Sequence, residues 1–445
     1  MYSKRYTKAL LGILAAAAIA VLLATFASAA PLLSKETRFR QTDGQTFLAT
    51  SCGDERCHYF KTADGDILLQ GSDGAWYYAE LQLDGESAML APTAAKYLVN
   101  AKPESAVTEE IIRATPALWE DAQAGDGELL GGIAPWASSG GYPYLGEQPV
   151  LVLLVEFNDV AIKYEAEWPD HVFGLAQRSA RDYYRSNTMG KIDLVPAQES
   201  YRGLGAENDG VVRVKLNQNH PNIAHHLNGT PWTRLREEMV IAAVRAAAEY
   251  VDFKRYDRNR DGIIGSDELH IVMPIAGYEH SYRPDETLAP SIWGHKSMIL
   301  WNSWKLPTGL RFESYTAFGE VYAGWEWDLE TDERVMEQHM ATIGVIVHEL
   351  GHDLGLPDFY NQADGTTLDG FSVMAEGCWG TTDGLPIGSV PVGFDPWCLE
   401  QLGIVIPQTV PEGQSYSGTL KSISTGEKMC SSSSLRAVAG RKSIF

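Results

Sequence analysis

His348-Glu349-Leu350-Gly351-His352-Asp353-Leu354-Gly355-Leu356-Pro357-Asp358 is the stretch that decides how this chain is read. On a helix, His348 and His352 stand one turn apart on the same face, so their imidazoles can converge on one Zn²⁺. Glu349 is adjacent and points into the same cleft, placed to take a proton from an attacking water without itself binding the metal. Gly355 falls where the helix must end, and Pro357 blocks its resumption. The resulting turn brings Asp358 back beneath the two histidines as a third ligand and leaves a fourth position open. A downstream glutamate such as Glu376 is the rival ligand, but the helix-breaking Gly-x-Pro favours the aspartate. Beyond it, Met374 in Ser372-Val373-Met374 reads as the apolar floor of the site, a Met-turn, against the plainer reading of a gap-filling core methionine.

Outward from this string, the residues Arg334 to Leu354 read as one long helix. Further upstream, Val150 to Phe157 is a continuous apolar run of strand length, which fits a strand buried on both faces. Thr230-Pro231 opens a helix reaching about Tyr250, with proline at its first position, and Leu269 to Ile275 reads as another strand. Between these lies a loop in which Asp257, Asn259, Asp261, Gly262 and Glu268 occupy the calcium-loop positions, with Ile263 offering its backbone carbonyl. A strand follows where an EF-hand would place a helix, so the expectation is a single helix-loop-strand Ca²⁺ site of structural type. The alternative is a solvated Asp/Asn turn.

The chain of 445 residues carries a net charge of −22 and a sequence pI near 4.9. Such a surface repels phosphate backbones and suits hard cations, which excludes nucleic acid as a partner. Residues 1–29 read as a signal peptide: Lys4, Arg5 and Lys8 precede an apolar run from Ala9 to Phe26 and an Ala27-Ser28-Ala29 cleavage signal. Cleavage there, rather than retention as an anchor, implies a secreted, extracellular protein without stable membrane insertion. Residues 30–135, punctuated by Asp43-Gly44, Asp64-Gly65, Asp73-Gly74 and Asp84-Gly85, read as a small β-rich unit and linker, which the resemblance described below implies is a propeptide domain. Residues 140–411 form the catalytic domain, and 412–445 an atypical tail. From Lys428 onward that tail holds four basic residues and no acids, and it reads as truncated or frame-shifted. Cys52 and Cys57 are expected to form a local disulfide, against a thiolate that caps zinc, and Cys378 and Cys398 to pair near the site floor. His295 and the His225-His226 pair read as surface or core histidines.

Several of these segments resemble the immune inhibitor A-like secreted zinc metallopeptidases, bacterial relatives of the metzincins. The resemblance runs through Gly53-Asp54-Glu55, Thr62 to Gly65, Gly74 to Ala79, Val152 to Asp159, Ser179 to Tyr184, the Asp257 loop, Ile292 to His295 and the zinc string. It implies an α+β fold: a metzincin/zincin-like catalytic domain with a mixed twisted sheet and an active-site helix, preceded by a small β-rich propeptide domain. It further implies endopeptidase action on protein or peptide substrates, zinc on His348, His352 and Asp358, Glu349 as general base, and calcium on the Asp257 loop. The alternative function is an exported binding or adhesion protein that keeps its zinc site but is inactive because its C-terminal part is truncated.

Overall fold

The computed structural model describes residues 28–33, 36–53, 57–71, 73–84, 87–115, 118, 144–176, 178–222, 232–285, 287–299, 304–328, 333–361, 366–406, 408–411, 435–438 and 441–444. The signal segment through residue 27, the Thr230-Pro231 helix start and the His225-His226 pair lie outside them. Among the described residues no helix is long and apolar enough to cross a membrane.

A two-residue strand, β1 (Ser28–Ala29), precedes a six-stranded antiparallel sheet. That sheet comprises β2 (Glu36–Arg40), β3 (Thr46–Gly53), β4 (His58–Thr62), β5 (Ile67–Gln70), β6 (Trp76–Asp84) and β7 (Ser87–Lys96), joined in sequence order. Its core is aromatic: Phe39, Phe47 and Phe60 surround Trp76 at ring distances of 4.7–5.6 Å. Helix α1 (Glu109–Arg113) follows, capped by the Thr108 side chain.

The second sheet has nine strands. Its centre is β8 (Gly146–Glu156), which contains the Val150–Phe157 run almost entire. Period-two alternation divides its side chains: Val150, Val152 and Leu154 belong to one hydrophobic core, and Leu151, Leu153 and Val155 to the other. The first core also takes in α2 (Trp168–Phe173) and α3 (Ala180–Asn187). Strands β9 (Ile192–Pro196) and β10 (Val211–Lys215) pair in parallel with successive parts of β8. Helix α4 (Trp232–Ala247) packs Met239, Val240, Ile241, Ala243 and Val244 into the second core.

After a short pairing of β11 (Ile263–Ile264), the strand expected at 269–275 appears as β12 (His270–Glu279), parallel to β8. The sheet continues through β13 (Ser291–Ile292) and β14 (His295–Met298). Strand β15 (Arg311–Phe312) pairs with β11. The long β16 (Ser314–Asp328) runs parallel to β12 but antiparallel to β14 and to β17 (Glu333–Met340). The path β1-β14-β16-β12-β8-β10 is therefore a mixed sheet.

One expectation is overturned here. Residues 334–340 are not the first turns of the motif helix: they are strand β17, whose register runs from Asp328↔Glu333 to Val321↔Met340. Hairpin pairing with β16 satisfies this backbone, and its mostly exposed side chains leave no apolar helical face to bury. Thr342, extended at φ −81° and ψ 168°, separates the strand from α5 (Ile343–Asp353). Every residue of α5 is buried. A small hairpin, β18 (Tyr360–Asn361) with β19 (Thr366–Thr367), and α6 (Pro396–Gln401) complete this part. After α6, β20 (Gln408–Pro411) and the tail strands β21 (Leu435–Val438) and β22 (Arg441–Ile444) form their own three-stranded sheet.

No disulfide joins the described cysteines. Cys52 lies opposite Tyr59 in the β3–β4 register, which takes Cys57 out of line with it. Burial raises the Cys52 thiol to about 11, so a thiolate cap on zinc is also unsupported. Cys378 and Cys398 are buried thiols, pushed well above the usual range by desolvation.

Burial also sets a pH dependence. It holds His171 down at about 4 and His295 at about 3, while pushing Glu279 up to about 7. An unfolded chain protonates its histidines near 6.5, so both histidines cost stability as pH falls below that value. Glu279 works oppositely, holding its proton in the folded state while an unfolded glutamate loses it above about 4.5, so its contribution is lost as pH rises from about 4.5 to 7. Thermal midpoints measured from pH 7 to 4 are expected to fall gently until about pH 4.5. Below that they should fall steeply, each histidine contributing up to about 1.4 kcal/mol per pH unit. A midpoint unchanged across this range would contradict the assignment.

Candidate metal centre

The end of α5 forms the site through a local backbone rule. Gly355 takes φ 86°, and its N–H donates to the His352 carbonyl at 2.8 Å while the Leu356 N–H donates to the Gly351 carbonyl at 3.0 Å. These two bonds make a Schellman ending, in which a left-handed residue reverses the chain. The reversal places the Leu356 carbonyl 2.8 Å from His352 Nδ1. On the other histidine, Nδ1 lies 2.7 Å from the Val373 carbonyl. Since only a protonated Nδ1 can donate to a carbonyl, both rings are fixed with Nε2 bearing the lone pair.

Those two Nε2 atoms stand 3.1 Å apart, and Asp358 Oδ1 lies 3.3 Å from His348 Nε2 and 3.0 Å from His352 Nε2. Four-coordinate zinc with ligand bonds of about 2.0–2.1 Å separates its ligand atoms by about 3.3 Å, so this triangle fits the ion in size and donor chemistry. Among the described residues, His348, His352 and Asp358 are the one group of three or more His, Cys, Asp or Glu side chains that converges in this way. Burial favours the neutral form of His352. Burial would raise Asp358, but the neighbouring His352 and His348 rings outweigh it and hold its carboxyl at about 2. Neutral imidazoles beside an ionised carboxylate are the protonation states a metal requires. Glu349, fully buried and next to His348 on the same helix, is not one of this group. Glu376, the rival ligand, instead accepts a hydrogen bond from Thr367 on the surface.

Met374 lies under α5. A side chain added at Gly351 would meet Met374 Sδ at 2.5 Å, so the glycine is what lets the thioether approach the helix. Three supporting groups were not legible beforehand. The Met374 N–H donates to Ser372 Oγ, which donates to Asp395, whose other oxygen caps α6. The Met374 carbonyl accepts from Phe359 N–H, fixing the residue after Asp358. On the opposite side, Asp353 accepts from Ser314 at 2.8 Å and lies 2.6 Å from His270 Nδ1, anchoring the helix end to β16 and β12.

The Asp257 loop bends at Gly262, φ 83°, as the sequence required. Asn259 accepts from the Asp261 N–H and Asp261 from the Ile263 N–H, while Glu268 receives the N–H groups of Arg258, Asn259 and Gly265. A 3₁₀ turn (Phe253–Arg255) precedes the loop and β12 follows it. Its oxygen-only donors suit a hard cation. His295 is a core histidine, between the Trp293 carbonyl and the Tyr315 hydroxyl.

Residues 234–405 match the family described as immune inhibitor A peptidase M6, catalytic domain. Through this segment the chain is similar to that family. It is 27% identical over 157 residues to immune inhibitor A of Bacillus thuringiensis subsp. alesti, a stretch covering 34% of this chain and 21% of that protein. It is 28% identical over 165 residues to the pre-pro-metalloprotease PrtV of Vibrio cholerae serotype O1 (strain M66-2), covering 35% of this chain and 16% of that protein. The chain thus matches well under a third of the length of these relatives. The motif helix, Asp358 and Met374 all fall inside the family segment.

Proposed function

We propose that this chain is a zinc-dependent metalloendopeptidase of metzincin-like type, exported and made as a precursor whose N-terminal sheet is a propeptide. The observation that carries the reading is the triangle of two carbonyl-oriented imidazoles and one carboxylate, beside a buried glutamate on the same helix. The description of the matching family, a peptidase, and the name of one relative, a pre-pro-metalloprotease, support it.

His348, His352 and Asp358 would hold the zinc. When bound, the ion supplies a Lewis acid that acidifies water and polarises the scissile carbonyl. Glu349 accepts the proton of the attacking water as the new C–O bond forms. It then delivers that proton to the amine nitrogen as the C–N bond breaks. Its burial keeps the transfer away from bulk solvent. The purified chain is expected to hydrolyse casein, to lose that activity to a zinc-selective chelator in excess calcium, and to regain it on zinc addition. A zinc-loaded chain that cleaves no protein would contradict the reading and favour an exported binding protein.

Calcium is assigned to the Asp257 loop, with Asp257, Asn259, Asp261, the Ile263 carbonyl and Glu268 as its oxygen donors. Millimolar calcium should raise the thermal midpoint of the chain, and Asp261→Ala should remove that rise. Equal calcium stabilisation of both forms would refute the site.

A further inference from the structure

The Asp257 loop and the motif helix meet at one buried carboxylate. Asp353 directly follows the ligand His352 and is closed off from solvent. Its two oxygens are held from two different strands: Ser314 Oγ donates to one at 2.8 Å, and His270 Nδ1 lies 2.6 Å from the other. Both partners stand where those strands leave the loop. His270 opens β12, two residues after Glu268, the last oxygen donor of the loop. Ser314 opens β16, two residues after the end of β15, which pairs in parallel with Ile263 and Ile264 of the loop. Here the Arg311 N–H donates to the Gly262 carbonyl at 3.1 Å, and the Glu313 N–H to the Ile264 carbonyl at 3.0 Å.

The loop reaches His270 from a second side. Within the loop, Ser266 Oγ stands 2.9 Å from the Tyr144 hydroxyl, and the centre of the Tyr144 ring lies 6.2 Å from that of His270. Gln148 Oε1, on β8, lies 3.4 Å from His270 Nε2. His270 and Asp353 are both buried, so water cannot replace a lost hydrogen bond between them, and losing it costs the desolvation of the orphaned group. The loop itself gathers the carboxylates of Asp257, Asp261 and Glu268. Asp257 Oδ1 is buried without a hydrogen-bond partner among the described residues, which fits an oxygen that faces a cation. Mutual repulsion opens such a loop, and a divalent ion between the carboxylates reverses the sign of that force.

We propose that His270 and Ser314 are positioning residues that make the two ion sites interdependent, an interdependence that rests on the zinc and calcium readings above. Closure of the Asp257 loop around its cation fixes the first residues of β12 and β16. These hold Asp353 by both oxygens, and Asp353 holds the last turn of α5, from which His352 turns toward His348 and Asp358. With the loop open, Asp353 loses a donor and the end of α5 is free to shift. Zinc needs the three donors converged, so it favours the closed state, as calcium does. Neither His270 nor Ser314 is a donor to either ion; each acts through Asp353. Linkage makes the effect reciprocal: calcium raises zinc affinity by the same factor as zinc raises calcium affinity.

The test titrates the full chain with Zn²⁺ in the absence of calcium and at saturating calcium, and with Ca²⁺ in the absence of zinc and at saturating zinc. Each ion should tighten binding of the other by one shared factor of about 5- to 150-fold. His270→Ala should bring that factor to about one while both ions still bind and calcium still raises the thermal midpoint. A residue that only stabilised the fold would leave the shared factor in place. Ser314→Ala removes a single hydroxyl, should cut the factor at least about threefold, and decides the matter if His270→Ala does not fold. Zinc affinity unmoved by calcium in the unmodified chain, or a factor that survives the substitutions, would overturn the proposal and leave both ion assignments standing. A chain that binds one ion only would remove the assignment of the other, and the interdependence with it.

Discussion

Glu349→Gln is expected to reduce casein hydrolysis by about 10²–10⁴-fold, the range over which positioned proton transfer contributes. The substitution keeps the shape of a side chain that is fully buried within α5. It removes only the capacity to accept a proton from water and return it to the leaving amine. Because Glu349 is not in the converging triangle, zinc content should be unchanged. Assays of casein hydrolysis and bound zinc on the same preparations separate the two properties. Hydrolysis within about tenfold of the unmodified protein would show that another group handles the proton.

The second large effect is on metal affinity. Asp358→Ala takes away the one anionic donor, whose oxygen stands 3.0 and 3.3 Å from the two Nε2 atoms. Loss of a group that merely orients a ligand costs about 10–100-fold in affinity, so loss of a ligand itself should exceed a factor of about 100. Zinc titration against a chromophoric competitor measures this. The circular dichroism spectrum should stay unchanged, since Asp358 lies on a turn whose path is fixed by the Schellman bonds and by Phe359. Unaltered zinc affinity would move the third ligand elsewhere.

Much of this site was legible in the sequence because its parts are local. Two histidines one turn apart, a glycine at the helix end and a proline that prevents its resumption place Asp358 beneath them within a single short segment. The groups that tune the ligands were not legible, because they are backbone carbonyls or distant side chains. Leu356 and Val373 act through main-chain oxygens, which any residue type supplies. His270 and Ser314 reach Asp353 across 83 and 39 residues of sequence, and only the sheet register brings them together.

The same limit explains the misreading of residues 334–340. Their polar and apolar residues are compatible with a helix, and the hairpin partner on β16 that makes them a strand is a tertiary fact. The β8 run reads as buried on both faces and is so, since six consecutive apolar positions from Val150 to Val155 leave no face for solvent. The cysteines failed for another reason: proximity in sequence between Cys52 and Cys57 says nothing about register, and Cys52 faces Tyr59.

The central claim is that His348, His352 and Asp358 together hold one zinc ion. X-ray absorption at the zinc edge on the purified chain, with metal analysis of the same sample, tests it directly. One zinc per chain, with two imidazole nitrogens and a carboxylate oxygen in its inner shell, is the expected result. A folded chain that takes up no zinc, or binds it through sulfur, would contradict the account.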